Sequence, residues 1–271
     1  MQDFKNKVIA ITGGATGIGF GLAKALGADG AKIIIGEPRA EVLETAISEL
    51  TALGIEAAAS VLDVADLESV EAFAAFAWEQ FGQVDMLINN AGISGGRGSI
   101  YNVDMAEARR VFDVNFFGIW HGCAAFSRRM VAQGTPAAIY NLGSENSLFI
   151  AVPKSVAYVA SKHAVLGLSE SLRDDLPDFI HVGTIFPGYV DTPLTAGAAG
   201  GMSPDAFAAI VKKQIEDDAH VIVSHAHNMV HIEKRYQEFA AAYATYAPRY
   251  EGDDEYDVKA MIARATQDKK A

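Results

Sequence analysis

Seven short runs of β-branched and aliphatic residues punctuate the chain: Lys7–Thr12, Lys32–Gly36, Glu56–Leu62, Met86–Asn90, Ala137–Leu142, His181–Phe186 and His220–Ser224. Each is apolar along most of its length instead of alternating, which is the pattern of strands covered on both faces. Longer segments of helical spacing separate them: Gly19–Ala28, Ala40–Leu53, Leu67–Phe81, Met105–Arg129 and Ala157–Leu176. Such alternation requires right-handed crossovers and predicts an α/β fold, a doubly wound parallel sheet of about seven strands with helices on both faces. No internal repeat is present. One domain is expected over residues 1–247, with a tail over 248–271 that is turn-rich from Pro248 and helical in pattern over Val258–Ala265. The small-residue stretch Thr195–Gly201 favours mobility, and with the short helix predicted over Pro204–Ile215 it makes 195–216 a candidate substrate lid.

Composition narrows the function classes. The 22 basic and 34 acidic residues give a formal charge of −12, which argues against nucleic acid, whose phosphates require clustered Lys and Arg. Half of the residues are hydrophobic, enough to exclude a disordered chain. Cys123 stands alone, so no internal disulfide can form and a reducing compartment is expected. The apolar stretch Val8–Thr12 is too short for a signal-peptide core, and no apolar run approaches the roughly 18 residues of a spanning helix. The expectation is a soluble cytoplasmic protein without a membrane partner.

Thr12-Gly13-Gly14-Ala15-Thr16-Gly17-Ile18-Gly19 closes the first strand and opens the first helix. Gly13, Gly17 and Gly19 permit a tight turn and a close approach of backbone amides to a pyrophosphate, with Thr16 and Ile18 between them. The spacing is G-x-x-x-G-x-G, not G-x-G-x-x-G, and an ordinary glycine-rich turn is the alternative reading. Glu37 follows the second strand, where a carboxylate can accept from ribose hydroxyls and repel a 2′-phosphate. NAD is therefore favoured over NADP, with Arg39 as the counter-argument.

Tyr158-Val159-Ala160-Ser161-Lys162 opens a predicted helix, and the i, i+4 spacing sets phenol and ammonium on one face. A nearby cation favours phenolate and would lower the tyrosine pKa from about 10 towards the range of a general base. Ser144 follows the fifth strand at its C-terminal end, where open α/β sheets place their ligand crevice. A Y-x-x-x-K pair alone is usually a surface pair.

Taken together, TGGATGIG, Asn89-Asn90-Ala91-Gly92, Asn115, Ser144, Tyr158-x-x-x-Lys162 and Pro187-Gly188, in that order, resemble the short-chain dehydrogenase/reductase family over roughly residues 5–195, more weakly to about 247. The resemblance implies a Rossmann-type fold and an NAD-dependent oxidoreductase interconverting a secondary alcohol and a ketone. It makes Tyr158 the general acid/base and gives Lys162 two tasks, lowering the Tyr158 pKa and binding the nicotinamide ribose. Ser144 would hold the substrate oxygen, and Asn115 would hold a water that relays protons. Asp63 and Val64 would contact adenine, Asn90, Ala91 and Gly92 would line the adenosine ribose, and Pro187, Gly188, Val190 and Thr192 would cradle the nicotinamide.

The interval from Ser144 to Tyr158 is one residue longer than is common in that family, which makes Ser147 a fallback for the serine role. The same resemblance puts Ser94, Asn146, Phe149, Val152, Tyr189 and Leu194 near the substrate, a mainly apolar set suited to a hydrophobic or aromatic alcohol. It also implies a homodimer or homotetramer through the helices over Met105–Arg129 and Ala157–Leu176. His220, His225, His227 and His231 crowd one stretch, but no carboxylate completes a recognisable metal triad there, so no metal is expected and the default is a polar pocket rim or subunit contact. Two rivals stay open: an epimerase or dehydratase on the same scaffold, and a dinucleotide-binding regulator without turnover.

Overall fold

A computed structural model describes residues 3–95, 97–195 and 200–268. The chain divides into two compact units, Met1–Ala226 and His227–Ala271. The first holds a seven-stranded sheet of β1 (Val8–Thr12), β2 (Lys32–Glu37), β3 (Ala57–Val61), β4 (Met86–Asn89), β5 (Ala137–Leu142), β6 (Ile180–Phe186) and β7 (Val221–Val223). The order is β3-β2-β1-β4-β5-β6-β7 and every pairing is parallel, a Rossmann-type doubly wound sheet. Strand order reverses between β1 and β4, and the crevice outside their C-terminal ends is where such sheets bind ligands.

The helices of this unit are α1 (Gly17–Gly27), α2 (Ala40–Ala52), α3 (Leu67–Phe81), α4 (Met105–Phe112), α5 (Gly118–Gln133), α6 (Val156–Asp175) and α7 (Pro204–Glu216). Period-two alternation splits each central strand between two cores. Ile9, Ile11, Ile33 and Ile35 face Leu22, Leu26, Leu50 and Phe207 on one side. Val8, Ala10 and Ile34 face Phe73, Ala77, Phe126 and Val165 on the other. The central strands are apolar along most of their length because both of their faces are covered, whereas the edge strands β3 and β7 are partly exposed.

One expectation is corrected. The single helix expected over Met105–Arg129 is two helices, α4 and α5, joined by a π-helical turn over Asp113–Phe117 that carries Asn115. The helical part of the expected lid is α7, whose Phe207, Ala208, Val211 and Ile215 are fully buried. It packs on α1 so closely that a Cβ on Gly21 would lie 2.8 Å from the Pro204 carbonyl oxygen. Residues 196–199 of the small-residue stretch lie outside the described residues.

His220 stacks on His181 at 4.3 Å, and its Nδ1 lies 2.7 Å from the Val182 carbonyl, at the N-terminal edge of β6 and β7, the opposite edge from the crevice. Burial, then the proximity of His220, hold His181 below the usual histidine range. In the second unit, α8 (Asn228–Tyr246) carries His231, and His227 precedes it; the two rings meet edge to face at 5.6 Å. A short turn, Asp253–Tyr256, leads to α9 (Val258–Asp268). Among the described residues no three His, Cys, Asp or Glu side chains cluster as metal ligands, and no helix is long and apolar enough to cross a membrane.

Candidate active site

The site begins with a hydrogen-bonded knot where β1 and β4 part. Thr12 Oγ1 accepts from the backbone amides of Asn90 and Ala91 at 3.0 and 3.1 Å. The Asn90 side-chain amide donates to the carbonyls of Thr12 and Gly13, both at 2.9 Å. Asn90, expected to line a ribose, thus also clamps the glycine loop. The loop has no room for side chains: Gly13 sits at φ +60°, and a Cβ on Gly19 would lie 2.3 Å from the Gly13 carbonyl oxygen. Thr16 gives α1 no side-chain cap, so it leaves the donors of the first turn and the positive end of the helix dipole to a ligand.

The other expected dinucleotide contacts surround this loop. Glu37 is buried at the end of β2, its carboxylate accepting from Arg39 Nε at 2.5 Å. The carboxylate is the main cause that raises the Arg39 pKa. Arg39, the counter-argument for a phosphate, is therefore engaged by the acid. Asp63 is exposed and caps the amide of Ala65 at 3.0 Å, while Val64 is buried against Gly118. Thr192 lies beside the loop, 3.2 Å from where a Gly17 Cβ would stand. Behind Gly188 the ring of His225 fills the space a side chain would need, its Nε2 3.2 Å from the Tyr189 carbonyl. Pro187 accepts from the Glu145 amide at 2.8 Å, which ties the β6 exit to the β5 exit.

Beside that cradle, α6 brings Tyr158 and Lys162 over the end of β5, with Lys162 Nζ 5.9 Å from the Tyr158 ring centroid. Lys162 is buried and donates to the Leu142 carbonyl at 2.8 Å; burial lowers its pKa to about 8. Tyr158 does not follow the direction expected from its neighbour. Burial raises the phenol above its ordinary value, the Ser144 hydroxyl opposes that, and Glu145 adds to it. Desolvation of the phenolate outweighs the Ser144 hydrogen bond.

Ser144 and Ser147 have separate tasks. Ser147 Oγ donates to the Lys162 carbonyl at 2.6 Å and accepts from the Ser144 amide at 3.1 Å, so its hydroxyl is committed to fixing the loop on α6. Ser144 Oγ accepts from the backbone amide and from the side-chain amide of Asn146, at 3.1 and 3.3 Å. With both acceptor positions filled, its own proton is left for donation, and Tyr158 is its partner. Asn115, on the π turn, donates to the Ile93 carbonyl at 3.0 Å and accepts from its amide at 2.8 Å, bracing the segment after β4. π turns occur often at functional sites because they free backbone groups from the helical ladder.

The expected substrate residues differ among themselves. Phe149 is buried, Val152 and Leu194 are each 38% exposed, Tyr189 is half-buried, and Ser94 is exposed. Asn146 is spent within the protein, for its Oδ1 also accepts from the amides of Ala151 and Val152 at 3.0 and 3.1 Å. The sequence reading missed this tie from Asn146 to Ser144, and the wedge of His225 under Gly188. Neither has a spacing signal, since both depend on loop conformation.

Residues 7–203 match the short chain dehydrogenase family. A 1-deoxy-11-beta-hydroxypentalenate dehydrogenase from Streptomyces exfoliatus is 32% identical over 86% of this chain and 88% of its own. A cyclohexanol dehydrogenase from Acinetobacter is 32% identical over 80% of this chain and 90% of its own. Among solved structures, a short chain dehydrogenase/reductase from Burkholderia phymatum in complex with NAD superposes with a TM-score of 0.83 at 26% identity, covering 92% of this chain and all of that one. A seven-stranded parallel sheet, a glycine loop at its switch point and a Tyr–Lys helix beside it accompany this likeness: the chain belongs to the short-chain dehydrogenase family.

Proposed function

We propose that the chain is an NAD(H)-dependent oxidoreductase that interconverts a secondary alcohol and a ketone. The observation that carries this reading is the convergence of Tyr158, Lys162 and Ser144 at the end of β5, with Ser144 Oγ accepting twice from Asn146 and its proton left to Tyr158. The cradle fits a dinucleotide: Gly13 and Gly19 leave space that a Cβ would fill, and Glu37 stands at the end of β2. NAD bound there would supply the hydride acceptor at its nicotinamide. Gly13, Gly17 and the first turn of α1 would hold the pyrophosphate, Glu37 and Asp63 the adenosine end, and Gly188, Val190 and Thr192 the nicotinamide end.

In alcohol oxidation, Tyr158 takes the hydroxyl proton as the carbinol carbon gives up its hydride. Ser144 donates to the same oxygen and so keeps substrate oxygen and phenol oxygen together. Lys162, charged at neutral pH when its pKa lies near 8, favours the phenolate against the burial that opposes it. Ketone reduction reverses each transfer. Phe149, Val152, Tyr189 and Leu194, which the resemblance puts near the substrate, are apolar or aromatic and favour a bulky hydrophobic alcohol, in keeping with the cyclohexanol and hydroxypentalenate in the relatives' names. Exposed Phe117 and Trp120 and a 360 Å³ cavity lined by Trp120, Ala164 and Leu168 suit the α5–α6 face to a subunit interface in a homodimer or homotetramer.

Incubation with NAD and a panel of cyclic and aryl secondary alcohols is expected to generate NADH, and Tyr158→Phe to lower that rate by at least about 100-fold, the scale of a lost general base. Undiminished turnover in the variant would remove the tyrosine from the mechanism. Titration with NAD and NADP is expected to favour NAD, and Glu37→Ala to shift the ratio towards NADP by about tenfold, the equivalent of one charge interaction. An unchanged ratio would contradict the role of the carboxylate. Asn146→Ala leaves only the backbone amide on Ser144 Oγ; kcat for alcohol oxidation is expected to fall about tenfold, and the rising, acidic limb of its pH profile to move to higher pH. A change in KM alone would show that Asn146 serves substrate binding instead.

A further inference from the structure

Helix α8 carries large apolar residues at Met229, Ile232, Tyr236, Phe239, Tyr243 and Tyr246, separated in turn by three, four, three, four and three residues. That is the 3.5-residue period of a coiled-coil seam, which places all of these side chains along one stripe. No residue of α8 is buried, and the stripe is open to solvent: Met229 is 52% exposed, Tyr236 71%, Phe239 55%, Tyr243 66% and Tyr246 86%. A row of aromatic rings on an amphipathic helix is not left in water without a partner.

The pattern itself says what covers it. The spacing reads the same in both directions, so an antiparallel copy of the helix brings every layer into register. We propose that α8 pairs antiparallel with α8 of a second copy of this chain, Met229 meeting Tyr246, Ile232 meeting Tyr243 and Tyr236 meeting Phe239 across a two-fold axis. Each layer then sets a larger side chain against a smaller or equal one, as an isologous interface with interior packing requires. The charged residues beside the seam, Glu233 and Arg235, face Ala240 and Ala242 of the opposing helix, so like charges do not meet. The helix dipoles oppose each other. A parallel pair would instead stack the bulky tyrosines on themselves at one end and Met and Ile at the other.

Area agrees with this occupant. Aromatic side chains bury about 150–250 Å² each, so the exposed part of the stripe amounts to roughly 500 Å² per copy and about 1,000 Å² for the pair, the lower bound of a specific interface. This contact does not depend on the catalytic assignment.

Cysteine cross-linking of the full chain tests the pairing, since the native Cys123 is buried. In an antiparallel pair the two copies of residue 229 stand about 25 Å apart along the helix axis, as do those of residue 246. The double variant Met229→Cys/Tyr246→Cys is expected to form disulfide-linked dimers under mild oxidation, and each single variant to remain unlinked on a non-reducing gel. Phe239→Glu is expected to halve the mass measured by analytical ultracentrifugation while leaving thermal unfolding unchanged. Self-linking of the single variants, no linking of the double variant, or an unaltered mass for Phe239→Glu would each overturn the proposal.

Discussion

The site depends on an ammonium group held inside the protein. Lys162 Nζ is buried at the carboxyl end of β5, donating to Leu142, and burial alone brings its pKa down to about 8. A charge there costs stability unless neighbours compensate it. Its position is fixed from several directions. Ser147 grips the Lys162 carbonyl, and Ser161, one residue earlier, accepts from Asn115 at 3.3 Å while donating to the Tyr158 carbonyl at 2.8 Å. The N-terminal half of α6 is thus pinned to the β5 exit and to the π turn. Tyr158, buried against the same loop, has a phenol that resists ionisation.

A second polar network joins the halves of the sheet at the switch point. Thr12 and Asn90 lock the glycine loop to the β4 exit, and Asn115 locks the next residues to the π turn that ends α4. One set of hydrogen bonds therefore runs from the dinucleotide cradle to the catalytic helix. This continuity makes the order of motifs along the chain a statement about space: each motif follows a strand, and the parallel strands deliver all of them to one edge.

How far these features were legible depended on how local their causes are. The strands were legible because burial on both faces leaves uninterrupted apolar runs such as Val8–Thr12 and Ala137–Leu142. The glycine loop and the Tyr158–Lys162 pair were legible only in company, because each spacing alone has an ordinary reading and the order of the motifs together carries the family resemblance. The π turn over Asp113–Phe117 was not, since it inserts into a continuous helical pattern and changes no residue's polarity. Helix α7 was legible as a helix over Pro204–Ile215, but its packing was not, since its stripe of Phe207, Val211 and Ile215 meets α1 only once the sheet is assembled. The direction of the Tyr158 pKa was also out of reach: spacing shows the cation, but not the depth of burial that raises the phenol.

The central claim is that Lys162 is retained for chemistry at the expense of stability, and Lys162→Met tests it most directly. A lysine lowered from 10.5 to about 8 binds its proton less well folded than unfolded, so its charge weakens the fold at every pH below about 8, and the penalty fades as pH rises towards 10.5. That penalty is roughly 3 kcal/mol at neutral pH, of which the lost hydrogen bond to Leu142 would return about 1. Thermal unfolding of Lys162→Met at pH 7 is expected to show a higher Tm than the parent, a flattened pH dependence between 8 and 10.5, and no dehydrogenase activity. A lower Tm together with surviving activity would contradict the account.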